Sequence, residues 1–239
     1  MSQKVIGLIG GMSWESSAEY YRIIHQAVRA RLGGLHSARC LIWSFDFGEI
    51  EALQHAGRWD DATTEMIDAA SRLERGGADF VVICTNTMHR LAEQVEAAIG
   101  VPLLHIADPT AERIRSAGLR RVALIGTAFT MEQEFYKGRL ADRHGLQVQV
   151  LVLVLVPSDE DRALVHRVIY EELVQGRVEA ASRQAYREVI ARLVERGAEA
   201  VILGCTEIML LVRPEDSSVP LFDTTTIHAE AAVDSALSG

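Results

Sequence analysis

Short apolar runs alternate with longer helical segments along this chain, and that alternation limits the possible folds more than any single motif does. Helical periodicity of the apolar residues is clearest in residues 19–32, 131–144 and 182–197. Because parallel neighbouring strands need crossover connections, usually helices, the pattern predicts an α/β fold with mainly parallel sheets flanked by helices. The predicted strands lie around residues 4–10, 38–45, 79–84, 102–106, 121–126, 147–156, 199–204 and 219–222.

Two segments of the first half of the chain recur in the second half. Residues 5–12, VIGLIGGM, match residues 121–128, RVALIGTA, with a shift of 116. Residues 77–88, GADFVVICTNTM, match residues 197–208, GAEAVILGCTEI, with a shift of 120 and no gap. Both matches consist of a predicted strand and its small or polar exit, so we interpret the chain as an internal duplication.

The duplication predicts two pseudo-symmetric α/β lobes. We expect the first lobe to comprise residues 1–105 together with 212–239, and the second to comprise residues 106–211. Two similar lobes with equivalent strand ends are expected to face each other across a cleft, which is a common place for a small-molecule site. The active site is therefore expected in the cleft between the lobes.

A cysteine and a threonine stand next to each other at the end of the strand predicted around residues 79–84. The ungapped match pairs Thr85 with Cys205 and Cys84 with Gly204. Because side chains alternate along a strand, we expect Thr85 and Cys205 to face the cleft and Cys84 to point into its own lobe. A helix is expected to begin directly after Cys205, where Thr206 and Glu207 follow, and a helix N-terminus lowers the pKa of a thiol.

The glycines after the first predicted strand do not form a dinucleotide-binding fingerprint. Gly7, Gly10 and Gly11 give G-x-x-G-G, and no Walker lysine follows. We expect instead a tight turn whose backbone N–H groups face the cleft and can hold a carboxylate. The eight histidines lack metal-ligand spacing, which predicts that there is no metal site. His89 is expected to form hydrogen bonds on a helix surface.

Composition argues against several classes of partner. Acidic residues outnumber basic ones by 33 to 24, so the clustered cations of a nucleic-acid-binding surface are not expected. The longest apolar run, starting at Val148, is about half as long as a bilayer span requires and indicates a buried strand. The N-terminal segment has no signal-peptide design and the three cysteines form no disulfide framework. We therefore expect a cytoplasmic protein without a membrane or nucleic-acid partner.

Several longer motifs occur in order along the chain, namely GLIGGMSWESSAEYYR, RLGGLHSA, CTNTMH, PLLHIAD, RVALIGTAFTMEQEFYKGRL, GCTEI and PLFDTTTIHAEAAV. This ordered set resembles the aspartate/glutamate racemase family, and most of all its bacterial L-aspartate/glutamate-specific, or broad-specificity, branch. The resemblance implies a two-lobed, pseudo-symmetric enzyme that uses two bases, one on each face of the substrate α-carbon. It also implies a small amino-acid substrate, a homodimer, and no cofactor, pyridoxal phosphate included.

In this family the first base usually lies in C-N-T-x-H and the second in G-C-T. Here N-T-x-H matches residues 86–89, so the family cysteine falls on Thr85, and G-C-T places the second base at Cys205. The resemblance implies that Cys205 deprotonates the L-enantiomer and that Thr85 serves the opposite face. A threonine at this position departs from the family pattern, and it leaves open whether Cys84 is the second base instead.

Racemisation also requires hydrogen bonds to the substrate α-carboxylate, because negative charge develops there. Met12 matches a residue that contacts substrate in the family. Some aspartate racemases present an Arg and a Lys to the second carboxylate, whereas this chain has Gln54 and neutral residues around Val174. The implied substrate is glutamate or aspartate, with neutral polar amino acids as the alternative. The candidate donors to the α-carboxylate are Asn86, Thr87, Thr127 and Thr206.

Two other functions are compatible with the same residues. One is a related activity of the superfamily, as in hydantoin racemase, maleate isomerase or arylmalonate decarboxylase. The other is non-catalytic binding of small carboxylates, which the missing first cysteine suggests. Proton exchange at the α-carbon of an amino acid distinguishes the predicted racemase from a binding protein.

Overall fold

The computed structural model describes residues 3–133, 139 and 153–238. The chain divides into two compact units. The first unit contains the residues up to Ile106 together with those from His228 onward, and the second unit is Ala107–Ile227. Each unit has its own parallel sheet and its own apolar core.

The first unit contains a four-stranded parallel sheet in the order β2-β1-β3-β4. A 3₁₀ turn, Thr87–Leu91, follows β3. The strands are β1 (Ile6–Gly10), β2 (Cys40–Ser44), β3 (Phe80–Ile83) and β4 (Leu103–Leu104). The helices are α1 (Trp14–Leu32), α2 (Phe47–His55), α3 (Trp59–Arg75) and α4 (Ala92–Ala98).

The second unit repeats this arrangement, with the order β6-β5-β7-β8 and parallel pairing throughout. The last helix, α10, begins in the second unit and continues into the first. The strands are β5 (Arg121–Gly126), β6 (Leu153–Leu155), β7 (Ala200–Gly204) and β8 (Leu221–Asp223). The described helices are α5 (Ala107–Ser116), α6 (Ala128–Glu132), α7 (Asp159–Glu171), α8 (Ala180–Glu195), α9 (Ile208–Leu211) and α10 (Thr224–Leu237).

The central strand pairs of the two units have the same register. Ile9 pairs with Ile83 in the first unit, and Ile125 pairs with Leu203 in the second. These pairs are separated along the chain by the same shifts of 116 and 120 that relate the two halves of the sequence. The structure therefore agrees with an internal duplication, and it makes Cys84 equivalent to Gly204 and Thr85 equivalent to Cys205 within their own units.

Packing follows from the apolar pattern of the elements. β1 and β3 are buried along their whole length, as is typical of the central strands of parallel sheets. On α3 the buried residues recur at helical spacing, so the helix has one apolar face, which packs on the sheet. Each large aliphatic side chain buried in this way contributes about 1.5–3 kcal/mol. The buried residues of α3 are Ala62, Met66, Ala69, Ala70 and Leu73.

The sequence predicted the fold class and all eight described strands, but it misplaced one boundary. Residues 212–227 were expected in the first lobe and lie in the second unit. The reason is that β8 pairs with β7, and this pairing cannot be read from local sequence. Most of the helix predicted at 131–144, and residues 147–152 of the sixth predicted strand, lie outside the described residues.

Within the described part of the chain, no helix combines the length and the apolar character that crossing a bilayer would require.

Candidate active site

Strands β1 and β3 end side by side at one edge of the first sheet. Ile9 pairs with Ile83, and the Cys84 amide donates a hydrogen bond to the Ile9 carbonyl oxygen at 2.9 Å. The chain leaves both strands at this edge, and carboxyl ends of parallel strands are where α/β proteins bind ligands. Met12 and Thr85 follow the two strands here, and Thr85 is 8% exposed.

Cys84 lies in the interior of the first unit. It is 1% exposed, and its Sγ lies 3.9 Å from the Val82 carbonyl oxygen. Burial raises the pKa of the Cys84 thiol far above its usual value. At the equivalent position of the second unit, a Cβ on Gly204 would lie 2.6 Å from Leu124 Cδ1. Both positions therefore face packed interior, and a thiol held protonated there is a poor base.

The turn after β1 needs glycine but does not present its Gly11 amide to a ligand. Gly11 has φ +84°, and a Cβ there would collide with the backbone of Phe45. The Gly11 N–H donates to Ser17 Oγ at 2.8 Å, and the Ser17 hydroxyl donates to the Ser13 carbonyl oxygen at 2.8 Å. The expectation that the amides of this turn hold a carboxylate is therefore wrong for Gly11.

Several predicted substrate-binding residues of the first unit lie together. Gln54 is buried on α2, and its Nε2 lies 3.0 Å from Met88 Sδ, to which it donates. Met12 and Met88 belong to one buried apolar cluster. Asn86 and Thr87 are also buried, at the start of the 3₁₀ turn after β3. The first unit thus brings Gln54 and Met12 to the loop that contains the predicted catalytic threonine.

His89 is buried, which corrects the expected position on a helix surface. Its Nδ1 lies 2.7 Å from the Thr85 carbonyl oxygen, and the Ile106 N–H donates to its Nε2 at 3.1 Å. A carbonyl oxygen only accepts and an amide N–H only donates, so this imidazole is neutral with its proton on Nδ1. His89 therefore fixes the backbone of Thr85. Its ring also packs against His105, with centroids 4.4 Å apart.

The buried histidine His228 was not found by sequence reasoning. His228 Nε2 lies 2.9 Å from the Leu104 carbonyl oxygen and must donate to it, and its Nδ1 lies 2.9 Å from the Tyr20 hydroxyl, from which a neutral imidazole accepts. The His228 and His89 ring centroids are 5.7 Å apart. No local motif could have indicated this contact, because Tyr20 and His228 are 208 positions apart.

In the second unit, strands β5 and β7 also end side by side. Gly126 pairs with Gly204, and a Cβ on Gly126 would lie 2.6 Å from the Gly204 carbonyl oxygen. Thr127 and Cys205 follow these glycines and therefore leave the sheet at the same edge. Cys205 is 6% exposed, close to the value for Thr85 in its own unit.

Glu207 is the charged partner of Cys205. The Cys205 thiol donates to Glu207 Oε2 at 2.9 Å, and the Thr206 hydroxyl donates to the same oxygen at 3.0 Å. Burial, followed by the Glu207 carboxylate, raises the pKa of Cys205 well above its usual range, although the backbone amides of Thr206 and Glu207 oppose the shift. The predicted lowering of this pKa is wrong, because burial and Glu207 outweigh the backbone amides that favour the thiolate. The next helix, α9, starts at Ile208 and has four residues.

The hydroxyl groups of two predicted substrate-binding threonines have partners within the second unit. Thr127 Oγ1 accepts from the Thr130 amide at 3.3 Å and caps α6. The Thr206 hydroxyl is directed at Glu207. Neither observation removes these residues from the edge of the sheet, but a ligand must compete with the existing hydrogen bonds.

The start of α10 holds the end of β7 in place. The Thr224 hydroxyl donates to the Leu203 carbonyl oxygen at 2.7 Å, and the Thr225 hydroxyl donates to the Thr206 carbonyl oxygen at 3.2 Å. These two hydrogen bonds lie on either side of Cys205 along the chain. In the parts of the chain that the structure describes, no cluster of three or more His, Cys, Asp or Glu side chains is arranged to hold a metal ion.

Comparison with known proteins identifies the family. Residues 9–232 match the sequence profile of the Asp/Glu/hydantoin racemase family. The chain belongs to that family. It is a racemase, and therefore an isomerase, and the matched range includes both strand edges described above.

Three relatives illustrate the similarity. A candidate Asp/Glu racemase from Yersinia pestis is 53% identical, with 98% of this chain and 100% of that chain covered and a TM-score of 0.88. An aspartate racemase homologue from Pyrococcus horikoshii OT3 is 34% identical, with 98% and 99% covered and a TM-score of 0.81. The broad specificity amino-acid racemase RacX of Bacillus subtilis (strain 168) is 25% identical over 179 residues, which are 75% of this chain and 74% of RacX.

Proposed function

We propose that the protein interconverts the L- and D-enantiomers of glutamate or aspartate, with Cys205 deprotonating the L-substrate and Thr85 serving the opposite face of the α-carbon. The observation that carries this proposal is the equivalence of the two positions. Each residue follows a central strand, one place beyond a position that faces packed interior, and each keeps a small exposed fraction of 8% or 6%. Two acid–base groups at equivalent places suit a reaction that moves a proton from one face to the other.

The two groups differ in chemistry, which supports a directional enzyme. A thiol can act as an acid or a base near neutral pH, whereas a threonine hydroxyl is too weak an acid to serve as a ready base. Thr85 can still donate or relay a proton, directly or with water. Turnover that starts from the D-enantiomer is therefore expected to be slower than turnover from the L-enantiomer.

Acid–base catalysis of this kind contributes about 10²–10⁴-fold in rate, so the site must also stabilise the carbanion. Hydrogen-bond donors directed at the α-carboxylate provide that stabilisation as charge develops. Asn86 and Thr87 are the candidate donors beside Thr85, and Thr127 and Thr206 are those beside Cys205. Met12 is expected to contact the carbon skeleton of the substrate.

We also propose that the enzyme works without pyridoxal phosphate. That cofactor is held as a Schiff base by a lysine, and the sequence has two lysines, Lys4 and Lys137. Lys4 is exposed and precedes β1, so it lies at the opposite end of that strand from Met12. Lys137 lies outside the described residues.

A second candidate is a racemase of neutral polar amino acids. Gln54 carries an amide in place of a cation, and an amide can hydrogen-bond either a carboxylate or a neutral polar group. The similarity to RacX, which is named a broad specificity enzyme, supports the same candidate. Side-by-side assays with glutamate, aspartate, glutamine and asparagine will rank the two candidates.

The experiment that tests the proposal is α-proton exchange followed by NMR in D₂O. The substrates are L- and D-glutamate and L- and D-aspartate, and the variants are Thr85→Ala, Cys205→Ala and Cys84→Ala. We expect Thr85→Ala and Cys205→Ala to abolish interconversion and Cys84→Ala to retain it. Loss of activity in Cys84→Ala with retention in Thr85→Ala would make this an ordinary two-cysteine racemase. No exchange with any of the four substrates would refute the glutamate/aspartate assignment.

We propose in addition that the enzyme is a homodimer, as the family resemblance implies. Large apolar side chains are exposed in the first unit on α1, on the segment after it and on the outer strand β2, and exposed apolar surface of this kind is typical of interfaces. Light scattering after size-exclusion chromatography should give twice the chain mass of 26.3 kDa, and a single-chain mass contradicts the proposal. The exposed residues are Trp14, Tyr21, Leu32, Leu35 and Ile42.

A further inference from the structure

The carboxylate of Glu172 has a buried oxygen to which no described residue donates. Glu172 is half-buried and directly follows α7, which ends at Glu171. Its Oε2 is buried, and among the residues that the structure describes none donates a hydrogen bond to it. Buried polar atoms of native proteins are hydrogen-bonded as a rule, because taking a carboxylate out of water without a partner is costly. This oxygen therefore suits a ligand that brings an N–H donor and a positive charge.

Two contacts place Glu172 at the edge of the second sheet where β5 and β7 end. On α7, His166 Nδ1 accepts a hydrogen bond at 3.2 Å from the amide of Ala128, the first residue of the helix that follows β5. The 3₁₀ turn Leu173–Gln175 comes directly after Glu172 and packs against α9, which begins three residues after Cys205. The end of α7 therefore lies beside the loops that carry the proposed site of this unit.

The electrostatic neighbours of Glu172 are those of the proposed base. Burial raises the pKa of Tyr186 well above its usual value, and Cys205, Glu172 and Glu207 each raise it further. One phenol on α8 thus responds to the thiol and to both carboxylates. Glu207 accepts hydrogen bonds from Cys205 and Thr206, whereas the buried oxygen of Glu172 has no such donor among the described residues. Glu172 is therefore the carboxylate here that is available to a positively charged ligand.

The substrate of the proposed reaction has one positive group, its α-ammonium. The residues proposed to bind substrate supply hydroxyl, amide and thioether groups, none of which carries a negative charge. An ammonium on the α-carbon makes the α-proton more acidic as long as it stays protonated. A nearby carboxylate favours that protonated form. An anionic partner for the ammonium would therefore assist binding and deprotonation alike.

We propose that Glu172 binds the α-ammonium of the substrate, with Oε2 accepting one of its N–H groups. The inference deepens the proposed function and rests on it, because it assigns a partner to the cationic group of an amino-acid substrate. Every amino acid carries this group, so the assignment holds for acidic and for neutral polar substrates. Dicarboxylic acids that lack the ammonium are expected to bind poorly, because they leave the buried oxygen of Glu172 without a donor.

The test compares two ligands that differ only in the ammonium. Dissociation constants of L-glutamate and glutarate are measured by isothermal titration calorimetry in a Cys205→Ala parent, in which L-glutamate is not converted. The parent should bind L-glutamate about 10–100-fold more tightly than glutarate, the range of one hydrogen bond between charged groups. In Glu172→Gln, made in the same parent, this preference should fall below about threefold, because an amide carries no charge.

Two further variants serve as controls. Glu171→Gln removes the same charge from an exposed residue one position earlier and should keep the preference of the parent. Glu172→Asp keeps the charge on a side chain shorter by one methylene and should give an intermediate preference. A purely structural role of Glu172 would weaken both ligands equally, and an unchanged preference in Glu172→Gln overturns the inference. If circular dichroism shows that Glu172→Gln is unfolded, an unchanged preference in Glu172→Asp overturns it instead.

A second pair of ligands separates the inference from the choice of substrate. L-Glutamine and its des-amino analogue 4-carbamoylbutyrate should show the same dependence on Glu172, and binding of neither amino acid overturns the inference. Exchange of α-protons by the wild-type enzyme is measured in parallel. If Glu172 controls the preference but the wild type exchanges no α-proton, the ammonium site stands and the proposed function fails. Exchange with a preference that ignores Glu172 gives the reverse, so the two failures are distinguishable.

Discussion

Replacing Cys84 with alanine should reduce the loss of stability at alkaline pH. The Cys84 thiol is 1% exposed, and burial raises its pKa far above the value of about 8.5 expected in the unfolded chain. The stability that this neutral thiol contributes is complete below about pH 8.5. It falls as pH rises from there towards the folded-state pKa, because only the unfolded chain then loses the proton.

The size of the effect follows from the linkage relation. One pH unit above the unfolded pKa, a thiol that stays protonated in the folded state reduces the free energy of unfolding by about 1.4 kcal/mol. Wild type should therefore lose about 1.4 kcal/mol more than Cys84→Ala between pH 7.5 and pH 9.5. At pH 7.5 the variant is itself expected to be less stable by about 1 kcal/mol, through lost packing.

Urea unfolding followed by far-UV circular dichroism at the two pH values measures this difference. Cys205→Ala is the matched comparison, because burial and Glu207 also raise the pKa of that thiol, and it should give a change of the same sign. If the stability difference between wild type and Cys84→Ala is the same at both pH values, Cys84 ionises in the folded protein. The interior position of Cys84 would then be wrong, and the argument for Thr85 over Cys84 would fail with it.

Two further substitutions test the loops that carry the site. Gly11→Ala should lower the free energy of unfolding in urea by more than about 2 kcal/mol, because a Cβ at φ +84° meets the Phe45 backbone. The control Gly77→Ala, at φ +95° with no atom within 4 Å of the added Cβ, should lower it by about 1 kcal/mol. Equal losses in the two variants would contradict the collision at Gly11. His89→Leu removes two buried hydrogen bonds to backbone groups and should lower the free energy of unfolding by about 2–6 kcal/mol. It should also lower kcat more than it changes KM. If the stability and kcat of the variant equal those of the wild type, His89 does not position Thr85.

The sequence alone predicted much of the fold because the information is local and repeated. Apolar runs of strand length are recognisable wherever they occur, and the shifts of 116 and 120 reappear in the register of the central strands. The same shifts predicted that Cys84 faces the interior, since the alternation of side chains along a strand is a property of the backbone. Residues 212–227 were misassigned because strand pairing between distant segments leaves no local signal.

The site was less predictable because its chemistry depends on neighbours. The sequence placed Glu207 beside Cys205 but could not show that the two side chains turn towards each other, since residues two apart need a particular backbone path to meet. Gly11 was correctly identified as part of a tight turn, yet Ser17 from the next helix uses its amide.

The sequence by itself determined the α/β class and the family resemblance, and it predicted the duplication and the equivalence of positions 85 and 205. These follow from periodicity and from matching residues along one dimension. Only the tertiary structure decided which groups carry charge or protons beside them, namely Glu207 at Cys205 and His89 at Thr85. The physical reason is that burial and hydrogen-bond partners set the protonation of a side chain. Burial arises only when distant segments pack, and the backbone path that lets near neighbours such as Cys205 and Glu207 meet is fixed by the folded loop.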